Sequence, residues 1–158
     1  MIKFKYIWGG IILNKTRVIF LCTGNSARSQ IAEAFLRKYA DDKYEVYSAG
    51  LEAQGIHQYT KQVMEEIDID ISDQYSKPLN KYLGEKHFGI IITVCEKVEK
   101  ECPIFPGVST RLYWPFDDPR AVEGTEEEKL EKFRETRDRI EEKIKEFIKK
   151  KKKIILLN

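Results

Sequence analysis

The chain has 158 residues, 34% of them charged, with Lys+Arg 28 against Asp+Glu 26 and a net charge of +2. That length is one domain with room for a real core, and the near balance of charge argues against a general nucleic-acid binder, which is expected to be strongly basic. Three cysteines in no repeating pattern do not make a secreted disulfide framework; they suit a reducing cytosol in which thiols have a chemical role.

Residues 1–14 read as an N-terminal extension or as a start codon placed too early. Their apolar patch, Ile7 to Leu13, is too short to span a bilayer and lacks a small-residue cleavage site behind it. Residues 15–150 read as a single domain and 151–158 as a C-terminal tail. A strand is expected over Arg17–Leu21. It delivers Cys22 to a run of small and polar residues, Thr23, Gly24, Asn25, Ser26 and Ala27, followed by Arg28 and Ser29. A loop with so little side-chain bulk can turn its backbone N–H groups inward as a nest for an oxyanion. The helix that follows aims its N-terminal amides and dipole at the same anion, and Arg28 can close the ring with a two-pronged contact. Cys22, in this positive field, is expected to be a nucleophilic thiolate. Gly24 and Asn25 are the residues able to take φ > 0 in the turn. Ser29 is placed to cap the helix and to donate to the Cys22 sulfur.

The helix is expected over Ser29–Ala40, with Ala32, Phe35, Leu36 and Tyr39 on one face. A strand over Tyr44–Ser48 and a helix over Tyr59–Asp68 follow. Phe88–Val94 reads as a very apolar strand ending at Cys95, and Thr110–Trp114 as a fourth strand. The clearest helix spans Glu126–Lys151, its inner face carrying Leu130, Phe133, Arg137, Ile140, Ile144, Phe147 and Ile148 behind a Thr125 cap. The Lys149–Lys153 run suits the negative end of that helix dipole. Strands alternating with helices imply an α/β three-layer sandwich: a small, about four-stranded parallel sheet with helices on both faces. Ligands of such folds sit beyond the carboxyl ends of the strands, where Cys22, Cys95 and the loop after Trp114 fall.

Bond-making to a bound oxyanion needs an acid for the leaving oxygen. Asp118, in the run Trp114, Pro115, Phe116, Asp117, Asp118, Pro119, is the candidate, with Trp114 and Phe116 as an apolar rim that would raise a carboxyl pKa. The competing reading is a turn whose Asp caps the chain, since Asp-Pro is a common turn pair. Asp117 is a neighbour that shares or tunes the proton. Cys95 and Cys102 lie seven residues apart; if helical, that segment rises ~10 Å, beyond the ~7 Å Cα limit of a disulfide. The pair can join only if the charged stretch Glu96–Glu101 unwinds. A metal pair is not expected: the spacing is wrong for zinc, and the two histidines, His57 and His87, match no ligand pattern.

Together these residues resemble the thioredoxin-coupled arsenate reductases, a branch of the low-molecular-weight protein tyrosine phosphatase superfamily, from about Arg17 to Ile148. The carrying motifs are the loop from Cys22 to Gln30, Val46 to Gly50, Ile69 to Ser72, Cys95 with Cys102-Pro103-Ile104, and Trp114 to Pro119. The resemblance implies a relay. Cys22 attacks arsenate held by the loop and Arg28, Asp118 protonates the departing hydroxide, Cys95 displaces arsenite from Cys22, and Cys102 moves the disulfide to Cys95–Cys102 for a reductant such as thioredoxin. It implies a cytoplasmic enzyme without a cofactor. Some relatives have a cysteine where Ala27 stands. One subgroup binds potassium through residues matched here by Asn25, Glu33 and Ser48, but with Tyr75 and Lys77 completing the site, the Lys77 ammonium is expected in place of that cation. Two rivals remain: a tyrosine phosphatase, whose aromatic grip after the Asp-Pro pair is replaced here by Arg120 and Ala121, and a non-catalytic oxyanion or redox sensor.

Overall fold

A computed structural model describes residues 6–8, 11–102, 107 and 110–156. Pro103 and Ile104, part of one motif, lie outside the described residues, as do residues 1–5 and 157–158. Strands β1 (Tyr6–Trp8) and β2 (Ile11–Leu13) pair antiparallel as a sheet of their own, so the expected extension contains a hairpin. The main sheet has four parallel strands: β3 (Thr16–Cys22), β4 (Tyr44–Gly50), β5 (Ile90–Thr93) and β6 (Thr110–Tyr113), in the order β4-β3-β5-β6. Central strands covered on both faces read as unbroken apolar runs; accordingly Val18, Ile19, Phe20 and Leu21 of β3 and the three isoleucines of β5 are all buried.

Side-chain alternation sorts the layers. Phe20 meets Trp114, which packs edge-on against Phe147, and Phe147 also tilts against Tyr44. That face is covered by α1 (Arg28–Ala40) and α4 (Glu126–Leu156), with α2 (Gln58–Glu65) packed against α4. On the other face Tyr47 forms an aromatic cluster with Phe88 and Tyr82, beside a 3-10 turn at Leu79–Lys81. The short helix α3 (Glu96–Glu101) covers the same face, where Thr93 donates to Glu99. Helices therefore lie on both faces of a small parallel sheet, as the alternation of elements implied.

Two boundaries differ from expectation by three residues or more. Helix α4 continues to Leu156, so most of the expected tail at 151–158 is helical; lysines are good helix formers and favour its C-terminal end. Its start carries a reciprocal capping box: Glu128 N donates to Thr125 Oγ1 at 3.2 Å while Thr125 N donates to Glu128 Oε2 at 2.9 Å. Helix α2 stops at Glu65 rather than Asp68, where the chain turns through a positive φ of 58° at Asp68. Arg137, the one charge on the inner face of α4, is buried but donates to Val63 O at 2.9 Å and pairs with Glu66 at 3.1 Å, which meets the demand that a buried charge be partnered.

Candidate active site

The carboxyl ends of β3 and β5 and the segment after β6 converge on the loop from Cys22 to Arg28. Cys22 is buried, and its sulfur accepts Asn25 N–H at 3.1 Å and lies 2.8 Å from Ser29 Oγ. The direction of the second contact follows from its neighbours. Asn25 Oδ1 accepts Lys77 N–H and the Gln30 amide, both at 2.9 Å, which leaves Nδ2 as donor to Ser29 Oγ at 2.8 Å and Ser48 Oγ at 2.9 Å. Ser29 thus accepts from Asn25, and its own O–H is left to donate to the sulfur. Two donors therefore converge on the Cys22 sulfur.

Asn25, not Gly24, supplies the left-handed residue of the turn, with φ 49°. Its short polar side chain compensates by local hydrogen bonding. The helix cap also differs from expectation: Ala27 occupies the N-cap without a side-chain bond, and Ser29 is inside α1, turned toward the sulfur instead. Ala27 is buried in a cluster with Val63, Leu130 and Phe133. Gly50, from the end of β4, is required by packing. A Cβ there would lie 2.4 Å from Glu52 O, 2.7 Å from Asn25 N and 2.8 Å from Thr23 O, all backbone. The loop can approach β4 only because position 50 has no side chain.

Beneath the loop runs a buried polar chain. Ser48 donates to Glu33, which is bridged to Arg37 at 2.6 Å and faces the Lys77 ammonium at 3.9 Å. Lys77 also donates to Tyr75 O at 2.5 Å, and burial pushes its pKa down against the opposing pull of Glu33. The ammonium therefore sits between Glu33 and Tyr75 O, while the Lys77 backbone N–H donates to Asn25 Oδ1. Gln30 and Gln74 extend the network behind the loop. Their amides were not singled out in the sequence, where a Gln on a helix or in a loop looks like any solvated residue.

Arg28 is buried, donating to Phe116 O at 2.9 Å and lying 3.5 Å from Asp118 Oδ2. Asp117 is exposed, so of the two carboxylates it is Asp118 that faces the loop. The expected rise in the Asp118 pKa is reversed. Burial pushes it up, but hydrogen bonds from the Arg120 side chain and backbone, with the Arg28 charge behind them, hold it below the usual carboxylate range. Asp118 also caps the 3-10 turn Pro119–Ala121 by accepting Arg120 N–H at 3.0 Å, so the capping reading is met at the same residue.

Cys95 is buried with its sulfur 3.4 Å from Thr23 Oγ1, next to the nucleophile in sequence. It is the N-cap of α3, and Cys102 is its C-cap. Cys102 is half-buried, and burial pushes its thiol pKa up. All three cysteines are free thiols. His57 caps α2 by accepting Tyr59 N–H at 3.1 Å and stacks on Phe133, a packing role as expected. Among the described residues no group of His, Cys, Asp and Glu could hold a metal ion, and no helix is long and apolar enough to cross a membrane.

The model of the low molecular weight phosphotyrosine protein phosphatase family matches residues 17–154. An arsenate reductase of Halalkalibacterium halodurans is 45% identical over 135 residues, spanning 85% of this chain and 96% of that protein. Among solved structures, an arsenate reductase in the phosphate binding state superposes with a TM-score of 0.68 at 31% identity, covering 85% of this chain and 98% of the other. A thioredoxin-dependent arsenate reductase of Corynebacterium glutamicum gives 0.66 at 30% identity over 90% of this chain and 64% of that one. With its nucleophile loop, parallel sheet and these relatives, the chain belongs to the low molecular weight phosphotyrosine protein phosphatase family, in company with its arsenate reductases.

Proposed function

We propose that this chain is an arsenate reductase that works by a three-thiol relay and is recycled by thioredoxin or a similar dithiol. One observation carries the reading: a second buried thiol, Cys95, lies against Thr23 of the nucleophile loop, and a third caps the far end of a six-residue helix. A phosphatase needs only the first.

In the first step the Cys22 thiolate attacks arsenic, with the amides of Thr23, Gly24, Asn25, Ser26, Ala27, Arg28 and Ser29 and the Arg28 guanidinium around the oxyanion. Asp118 gives its proton to the departing hydroxide, which leaves as water. The Cys95 sulfur then attacks the Cys22 sulfur. The S–As bonding pair goes to arsenic, which falls from the +5 to the +3 state and leaves as arsenite, while a Cys22–Cys95 disulfide forms. Cys102 attacks Cys95 and expels Cys22, whose charge the Asn25 and Ser29 donors stabilise, as good leaving thiolates require. The last exchange requires α3 to open, since ~10 Å of helix separates its caps. Opening also exposes Cys102, whose half-buried thiol has its pKa pushed up in the closed helix.

Three free thiols and a relay that returns to them fit a reducing cytoplasm. Phosphate fits the same loop, so hydrolysis of simple phosphate esters by Cys22 and Asp118 accompanies the reductase activity. A purely sensory role leaves the Asp118–Arg28 pair without work. The test is arsenate-dependent NADPH oxidation with thioredoxin and thioredoxin reductase, beside hydrolysis of p-nitrophenyl phosphate. Reductase turnover is expected; ester hydrolysis with no arsenate-dependent oxidation would assign the chain to the phosphatases.

A further inference from the structure

Arg120 has no part in the relay, yet it is tied at both ends. Its Nε and NH2 groups hold the two Asp118 oxygens at 3.1 Å and 3.0 Å, and its NH1 reaches Gln54 Oε1 at 2.7 Å. Gln54 lies directly over the nucleophile loop: its N–H donates to Gly24 O at 3.0 Å, and a Cβ on Gly24 would come within 2.3 Å of its side-chain oxygen. Gln54, Arg120 and Asp118 therefore form a strap from the segment after β4 to the segment after β6, passing over the loop at Gly24. The strap has a chemical consequence. Asp118 must carry a proton to act as an acid, but a carboxylate gripped by a two-pronged guanidinium is held in its charged form.

We propose that Arg120 is a substrate-binding residue that couples oxyanion binding to protonation of Asp118. A doubly charged oxyanion entering the loop competes with Asp118 for the Arg120 guanidinium. As Arg120 swings from the carboxylate to the anion, Asp118 loses its strongest partner and takes up from solvent water the proton that it delivers to the leaving oxygen. The other charges facing this pair are Arg28, 3.5 Å from Asp118, the Cys22 and Cys95 sulfurs, which act on Arg120, and His57. Burial and the Arg120 charge push the His57 pKa down, leaving Arg28 and Arg120 as the cations at the carboxylate. Arg28 is fixed by Phe116 O, whereas Arg120 is part-exposed and held by side chains alone at its guanidinium. Arg120 is the more exposed of the two and the one whose guanidinium can exchange its partners without breaking a backbone contact.

The inference rests on Asp118 being the acid of the proposed reaction. It is tested with p-nitrophenyl phosphate, whose hydrolysis needs neither Cys95 nor Cys102. The alkaline limb of kcat/KM marks loss of the acid's proton from the free enzyme. Arg120→Ala should move that limb to higher pH and raise KM roughly tenfold, the loss of one charge-assisted contact. Arg120→Lys should restore KM but leave the limb displaced, because an ammonium lacks the fork. Gln54→Ala should displace the limb in the opposite sense to its slackened tether only if Gln54 holds Arg120 away from Asp118; the strap geometry predicts instead a KM change with the limb near its original place. In the Asp118→Asn background Arg120→Ala should no longer move any limb. A limb unmoved by Arg120→Ala overturns the coupling, even in an enzyme that reduces arsenate. The expected shifts in an enzyme that fails to reduce arsenate would overturn the reductase reading and leave the coupling standing.

Discussion

The loop from Cys22 to Arg28 and the helix from Glu96 to Glu101 both present cysteines to the same site, but they are built in opposite ways. Asn25, Ser26, Arg28 and Ser29 are buried, and Asn25 alone ties the loop to Ser48, Lys77 and Gln30. Helix α3 has six residues, five of them charged, and only Val98 enters the core. An isolated helix of that length is far below what water supports. One region is a fixed receptor that must not relax when charge develops on the oxyanion; the other is held weakly enough to open. Rigid preorganisation suits electrostatic stabilisation, while a disulfide exchange over ~10 Å requires a segment of low local stability. The contrast assigns chemistry to the loop and transfer to the helix.

Four substitutions sharpen or break that division. Cys22→Ser should abolish arsenate reduction and ester hydrolysis alike, because a serine hydroxyl stays protonated where the thiol ionises; activity surviving in either assay would move the nucleophile elsewhere. Asp118→Asn should slow the first chemical step by ~10²-fold or more in both assays, the range for a lost general acid. Asp117→Asn should cost less, because Asp117 is exposed and Asp118 faces Arg28. Equal losses, read by single-turnover kinetics, would mean that the two carboxylates act as a coupled pair. The smallest effect is expected from Val98→Ala. Removing the buried methyls should destabilise α3 by ~1–2 kcal/mol and raise proteolysis between residues 96 and 101 about tenfold. Ester hydrolysis should be unchanged, and a loss of it would show that α3 supports the loop after all.

Much of this division was legible in the sequence, for identifiable reasons. The apolar run Val18 to Leu21, the small residues after Cys22 and the amphipathic face of α4 each follow from a local rule, and each element formed within a few residues of its expected place. The spacing of Cys95 and Cys102 across a charged stretch by itself requires unwinding before the two can join. What sequence could not supply was partnership across the fold. Trp114 and Phe116 suggested an acid with a raised pKa, but Arg28 and Arg120 converge on Asp118 from an element far away and from the next turn, and their charges outweigh burial. Ser29 was expected both to cap the helix and to meet the Cys22 sulfur; the sulfur contact forms, but Ala27 takes the cap position and Ser29 lies inside α1. Gln54 and Arg120 gave no local signal, since their strap exists only when the segments after β4 and β6 meet. The hairpin at residues 6–13 was likewise not foreseen, its two strands being only three residues each.

The account's central claim is that the electrons pass from Cys95 to arsenic through Cys22, and that Cys102 acts only afterwards. The direct measurement is mass spectrometry of non-reduced peptides from Cys102→Ser after exposure to arsenate, with arsenite counted in parallel. One arsenite per chain and a trapped Cys22–Cys95 disulfide are predicted, with p-nitrophenyl phosphate hydrolysis intact before the arsenate is added. Repeated arsenate turnover by Cys102→Ser with the same reductant, or arsenite release without that disulfide, would contradict it.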